Sequence, residues 1–286
     1  MTTPRRRKKI RGGVLAAGIS SYTILILFSV AVLIPILWMC ATAFKTVPET
    51  MTMPPRWIPE HISFGSFARL WQDYPFATFF QNSIIIVFLS MLISVFCSCL
   101  AGYGVTRFHF KAKGALMTFV LITQMFPSVM LLVPFYSVIN RLGLINTHLG
   151  LVLVYTSFTT PFCTWMMHGF FKALPVDLDE AARIDGCNAW QTFRRIIMPL
   201  TLPGIASTSI YSFITSWNEY MFAYILTTSP KMRTLTVGIA ELNGYQQILW
   251  NDMMAASMIA SLPLIILFAF LQKYFISGLT AGAVKS

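Results

Sequence analysis

Charge is scarce in this sequence. Of its 286 residues only 11% are Asp, Glu, Lys or Arg, and only ten are acidic, where a soluble domain carries roughly a quarter charged residues. With 56% hydrophobic residues and a mean hydropathy of +0.67, that shortage excludes an ordinary water-soluble domain and indicates a chain built to lie in lipid. A formal net charge of +11 would suit nucleic acid if the basic residues shared one face. They lie instead at the ends of apolar segments, the distribution that membrane topology produces.

Cysteine is sparse and odd in number: Cys40, Cys97, Cys99 and Cys163 sit in apolar segments, and Cys187 stands apart. No disulfide framework is implied. Cys97 and Cys99, two residues apart on a helix, point to different sides without accompanying histidines, and so read as small packing residues rather than metal ligands. A phosphate-cradling loop needs glycines ahead of a Lys-Ser or Lys-Thr pair. The two such pairs, Lys45-Thr46 and Lys285-Ser286, follow no glycine-rich run. With no nucleophile constellation or acid/base pair either, the expectation is a non-catalytic chain that itself binds no cofactor, metal or nucleic acid.

What the sequence does contain is a succession of charge-free stretches, each near the 20 or so residues that cross a bilayer. Residues 1–13 form a tail with six Lys or Arg in its first eleven positions. The apolar run that follows exceeds the 7 to 15 residues of a signal-peptide core, so residues 14–44 are expected to be an uncleaved first transmembrane helix. Residues 45–80 read as a proline-rich extracytoplasmic loop with an interfacial helix over 64–73. Residues 81–277 hold five further spans, expected at 82–105, 115–138, 149–171, 204–228 and 253–275. Between them lie a short turn at 140–147, a polar loop at 172–203 and an outer loop at 229–252. Residues 278–286 form a closing tail. With the N-terminus inside, fifteen of the twenty-one Lys and Arg fall on the inner side, so the positive-inside rule places both termini and loop 172–203 in the cytoplasm. The expected fold is an all-α membrane protein with six transmembrane helices.

The interval 174–203 holds four of the ten acidic residues: Asp177, Asp179, Glu180 and Asp185. Pro175 suits a first helical turn, the acids favour the positive end of a helix dipole, and Gly186 is the residue type that closes a helix in a left-handed conformation. A helix of about two turns follows from this. Asn188 can cap a second helix with Gln191 three residues on. Trp190, Phe193 and Ile197 then share one side, Arg194 and Arg195 take the other, and Pro199 and Pro203 are expected to end it. Ala181 and Ala182, beside Glu180, are too small to make a core of their own. Such a face suits close approach of another protein's backbone.

Glu180, Ala181 and Ala182, then Gly186 after three residues, then Ile196 and Pro199 after nine more, follow the pattern EAA-x3-G-x9-I-x-L-P. Met198 stands in the place of Leu, a volume-conserving exchange. This run resembles the signature loop of the membrane subunits of ATP-binding-cassette (ABC) importers. Six spans with that loop between the fourth and fifth resemble the type I importer permease fold. Trp217, Asn218 and Glu219, with the closing stretch 274–284, are similar to the maltose-type carbohydrate-uptake branch and to the smaller of its two membrane subunits.

The resemblance implies that Asp179, Glu180, Ala181, Ala182, Asp185 and Gly186 belong to a coupling helix that docks a cytoplasmic ATPase. It implies a second homologous permease subunit forming a heterodimer, two copies of an ABC ATPase that bring ATP and Mg2+, and a solute-binding protein outside. Gly238, Glu241, Asn243, Gly244 and Tyr245 of the outer loop would reach that binding protein. The setting would be the bacterial cytoplasmic (inner) membrane, with its lipid as a further partner, and the cargo a sugar or sugar derivative.

Polar residues inside spans mark candidate solute contacts, because a carboxylate at mid-membrane costs about 2.5 to 3.5 kcal/mol. Glu219, the only acid within an expected span, should face the bundle interior or an outer vestibule. With Tyr211, Thr215 and Asn218 at helical spacing it could stack on and hydrogen-bond a sugar, bond a partner subunit, or cap a broken helix. Gln124 is a similar candidate, for which interhelical hydrogen bonding is the alternative. Two other functions fit less of the chain. One is the same importer carrying peptide, amino acid, phosphate or polyamine. The other is an ion-coupled secondary transporter, which would need mid-membrane ionisable residues and usually an internal repeat.

Overall fold

The computed structural model describes residues 12–242 and 249–283, with side chains for 18–242 and 249–272. All regular structure among these residues is helical. In chain order the helices are α1 (Gly12–Ala43), α2 (Val47–Thr50), α3 (Gly65–Gln72), α4 (Phe76–Arg107), α5 (Lys113–Thr123), α6 (Leu132–Arg141) and α7 (His148–Ala173). There follow α8 (Asp177–Ile184), α9 (Ala189–Thr192), α10 (Met198–Leu200), α11 (Leu202–Trp217), α12 (Met221–Leu226), α13 (Leu235–Glu241) and α14 (Trp250–Ala283).

Four helices are long and apolar enough to cross a membrane unaided: α1, α4, α7 and α14. Two bent pairs bring the number to six. The chain turns by 95° between α5 and the Ser128–Arg141 segment, and by 78° between Ala189–Leu200 and α11. Of the third and fifth spans, expected at 115–138 and 204–228, the former is interrupted by the 95° bend and the latter by the gap between Trp217 and Met221. Pro127 breaks the third: it is extended at φ −58, ψ 127, and a proline disfavours helical geometry in the residue before it. Pro203 opens α11 instead of ending the previous helix, since its missing N–H costs nothing in a first turn. Helix α11 then stops at Trp217, and α12 starts at Met221. The second span begins at Phe76, earlier than expected, and the sixth at Trp250.

The chain divides into two compact units: Met1–Ala68 with Leu249–Met258, and Arg69–Ile248 with Ile259–Ser286. In the first, Lys45 is buried at 2% exposure and its Nζ sits 4.2 Å from the centre of the Trp38 ring while donating to the Arg56 carbonyl. Burial lowers the Lys45 pKa, with the Glu49 carboxylate pulling the other way. Phe44 packs on Phe64 and Phe67, and Ser63 N–H donates to the Phe44 carbonyl at 2.8 Å, which ties the Pro-rich loop to the end of α1.

The second unit is built on α4 against α7. Their seam is polar and tight: Ser94 and Thr159 hydroxyls meet at 2.6 Å, Thr164 donates to Ser98 at 3.2 Å, and Ser98 donates to the Thr160 carbonyl at 3.2 Å. Gly102 lets the backbones close, since a Cβ there would stand 3.0 Å from the His168 nitrogen. Without a hydrophobic force between helices in lipid, such small and hydroxyl residues are what holds two spans together. Beside this seam Ile86, Ile139, Leu151, Val154, Phe222 and Val237 form a core contributed by α4, α6, α7, α12 and α13.

Candidate functional site

The expected helix–glycine–helix of the polar island is present. Helix α8 spans Asp177–Ile184 with three acids in its first turn, and Gly186 follows at φ +80. Asn188 accepts from the Gln191 N–H at 2.9 Å while the Gln191 side chain accepts from the Asn188 N–H at 2.9 Å, a complete capping box. Beyond α9 the chain loosens into a π-helical stretch, Phe193–Ile197, before α10 and the bend at Thr201.

Helix α8 divides its residues between two directions. Glu180, Ala181, Asp185 and Gly186 are exposed. Asp179 and Ala182 are buried, at 6% and 1% exposure. Asp179 faces the bundle: Tyr103 Oη donates to its Oδ1 at 2.8 Å and Arg107 Nε lies 2.8 Å from its Oδ2. Arg107 Nη2 also donates to the Leu174 carbonyl at 3.2 Å, at the C-terminus of α7. Tyr103 packs on Phe193 with ring centres 4.9 Å apart. Neither Tyr103 nor Arg107 stands out in sequence, because one is an aromatic in an apolar helix and the other a basic residue at a span end.

Three of the five expected solute-contact residues, Gln124, Tyr211 and Glu219, meet α7. Tyr155, Phe158 and Phe162 share one face of that helix at helical spacing. Tyr155 Oη donates to Glu219 Oε2 at 2.8 Å. Gln124 Nε2 donates to the Phe158 carbonyl at 3.3 Å, and the Tyr211 ring lies 4.4 Å from that of Phe162. Tyr211 and Thr215 are half-buried on α11, whereas Asn218 is exposed and donates back to its own helix at the Ile214 carbonyl, 2.9 Å away. Phe162 continues to Trp165, ring centres 5.7 Å apart, and Trp165 is 45% exposed. Tyr155 at one end of this face is buried in the core at 1% exposure, and Phe158 stacks on Phe222, so the rings that reach the surface are those of Phe162 and Trp165.

Glu219 has a structural post on this face. Its carboxylate accepts the N–H groups of Phe222 at 2.8 Å and Ala223 at 3.0 Å, the first turn of α12. Of the three roles open to it in sequence, capping a broken helix is the one the geometry displays.

The loop 229–252 carries α13, fastened to the start of α4. Asn82 Nδ2 donates to the Lys231 and Arg233 carbonyls, both at 2.9 Å, while its Oδ1 meets His148 Nε2 at 2.8 Å. The Leu235 N–H donates to Ser83 Oγ at 2.7 Å. Gly238, expected at the loop tip, is instead buried in α13 against the Phe79 ring, where a Cβ would collide. Glu241 is exposed and paired with Arg233. Asn243, Gly244 and Tyr245 lie outside the described residues. Asn146, at φ +60, receives the N–H groups of Thr228 and Ser229 on its Oδ1, each at 3.0 Å, and so holds the far end of α12. Asparagine tolerates that left-handed geometry better than most residues.

Long apolar helices with a short polar helix exposed between two of them define a multi-pass membrane protein. Residues 94–280 match the family described as binding-protein-dependent transport system inner membrane component, and the chain belongs to that family. It is 39% identical over 264 residues, 91% of this chain and 94% of the other, to a trehalose/maltose transport system permease protein, MalG, of Thermococcus litoralis. It is 35% identical over 270 residues, 93% and 88% of the two chains, to a probable ABC transporter permease protein, YurM, of Bacillus subtilis. Its fold is similar to that of a chain in the crystal structure of a bacterial ABC transporter involved in import of the acidic polysaccharide alginate. That match has a TM-score of 0.80 and 21% identity, covering 96% of this chain and 100% of that one. The chain is a multi-pass inner-membrane permease component and not itself catalytic.

Proposed function

We propose that the chain is the membrane-spanning subunit of an ABC importer for a sugar, oligosaccharide or sugar derivative, working by alternating access. Both termini and the 172–203 loop face the cytoplasm. The exposed side of α8, with Glu180, Ala181, Asp185 and Gly186, receives one of two ATPase subunits that bind ATP and Mg2+. A second homologous permease completes the pathway, and an extracytoplasmic binding protein delivers the solute near Glu241 and residues 243–245. The observation that carries this reading is the exposed EAA helix, set on a bundle whose α7 face offers the rings of Phe162 and Trp165, suited to a sugar. Aromatic faces stack on the apolar side of a sugar ring, and amides and hydroxyls bond its edge. An ion-coupled mechanism finds less support, because Glu219 is committed to Tyr155 and to the α12 amides.

The test is uptake by proteoliposomes holding the complex that co-purifies with this chain from its native membrane, supplied with its binding protein. Labelled saccharide should accumulate in a vanadate-sensitive, uncoupler-insensitive manner. Accumulation abolished by an uncoupler and indifferent to vanadate overturns the importer, and accumulation of amino acid or peptide in place of saccharide overturns the cargo.

A further inference from the structure

Helix α8 is joined to the rest of its unit by two routes. Toward α11 the chain passes Gly186 at φ +80, the π-helical stretch Phe193–Ile197 and the 78° bend at Thr201. π-Helical turns are frequent at functional sites, and Phe193 of this one is buried and packs on Tyr103 and Phe171. Toward α4 and α7 the connection is short and charged. Arg107 and Asp179 form an ion pair whose side chains are 7% and 8% exposed, and Tyr103 Oη occupies the second carboxylate oxygen. Arg107 also holds the carbonyl of Leu174, the residue that follows α7. The charge on Asp179 makes the Tyr103 hydrogen bond about twice as strong as a neutral one, and the water-poor setting strengthens the attraction within the ion pair. The helices they reach are already locked together by the Ser94–Thr159 and Ser98–Thr164 hydroxyl pairs and by the close approach at Gly102.

From this we infer that Tyr103, Arg107 and Asp179 are positioning residues that make α8, α4 and α7 move as one body. On this view Asp179 does not touch an ATPase. It conveys displacement of the exposed α8 face to the ring-bearing helix α7. Coupling between distant sites travels through contiguous contacts with two arrangements, and this cluster is the contiguous contact available. The inference rests on the importer reading above and adds which residues carry the motion.

The experiment uses the whole co-purified complex and reads two quantities, the ATPase retained and the ratio of solute moved to ATP hydrolysed. For Asp179→Asn the ATPase should stay bound while the ratio falls roughly tenfold, a size typical of residues that carry coupling. Asp179→Glu, which keeps the charge, should recover most of it. A merely structural role would lower the yield of complex without changing the ratio. An unchanged ratio in Asp179→Asn, or loss of the ATPase from that variant, overturns the inference, the latter because Asp179 would then be part of the docking face. Should Asp179→Asn not accumulate in the membrane, Tyr103→Phe decides, since it keeps the ion pair and the ring packing. Its ratio must fall, and an unaltered ratio overturns the clamp. If the wild-type chain brings down no ATPase, the importer reading itself fails.

Discussion

Tyr155 and Glu219 lie 64 residues apart in sequence and share a hydrogen bond of 2.8 Å between α7 and the start of α12. The same carboxylate closes two open N–H groups of α12, so one side chain joins two helices and caps one of them. Removing a partner from a buried, charge-assisted hydrogen bond costs about 1.5 to 3 kcal/mol. Glu219→Ala should therefore destabilise the protein by about 3 kcal/mol and Tyr155→Phe by about 1.5 kcal/mol, read as melting in detergent. The double variant should lose less than the two single losses together, because the two side chains share one contact. Additive losses would show that Glu219 acts on α12 alone.

Gly238 offers a sharper steric test. A Cβ at this position collides with the Phe79 ring, and both residues are buried. Overpacking a filled site costs about 1 to 3 kcal/mol. Gly238→Ala should lower the melting temperature, and Gly238→Ala with Phe79→Leu should recover part of the loss by opening room for the methyl group. Failure of the second change to help would locate the crowding elsewhere.

Much of this was legible in the residues, and the part that was not has a common cause. The two-turn α8, the left-handed Gly186 and the Asn188–Gln191 box depend on neighbours within four positions, and local chemistry is written in local sequence. The apolar runs showed where spans lie. What they could not show is direction. Hydropathy treats 115–138 and 204–228 as continuous because a span-length window averages the few residues around Pro127, and the polar Asn218, Glu219 and Tyr220, with the long apolar runs on either side. Asp179 and Glu180 are adjacent acids of the same chemical class, and only the distant Arg107 and Tyr103 decide which one turns inward. Gly238 was expected to reach a binding protein outside, and Phe79, far away in sequence, makes it a packing residue.

Asn82 holds three groups with one amide: the Lys231 and Arg233 carbonyls and the His148 ring. It is 5% exposed, so each partner it abandons is left without easy access to water. Asn82→Ala should release the segment leading into α13 before it disturbs the α4–α7 seam, whose contacts are separate. Hydrogen exchange measured by mass spectrometry should show faster exchange over 229–242 and unchanged protection at 90–105 and 155–170. Equal loosening of both regions would mean that the segment and the seam open as one cooperative unit.

Gly186 and Glu180 separate local strain from surface contact. At φ +80 a residue with a Cβ pays about 1 to 2 kcal/mol, but open space surrounds the position and no neighbour would be struck. Gly186→Asp should therefore misplace the turn between α8 and α9 without collapsing the bundle. Glu180→Lys changes an exposed side chain that makes no contact on which the fold depends, and reverses its charge. Both variants should reach the membrane in normal amounts, melt within about 2 kcal/mol of the wild type, and lose both saccharide uptake and solute-stimulated ATP hydrolysis. Because Glu180 bears on no internal packing, its failure in transport with an intact melting profile can only come from a surface meeting another protein. Normal transport by Glu180→Lys would show that the exposed side of α8 meets nothing.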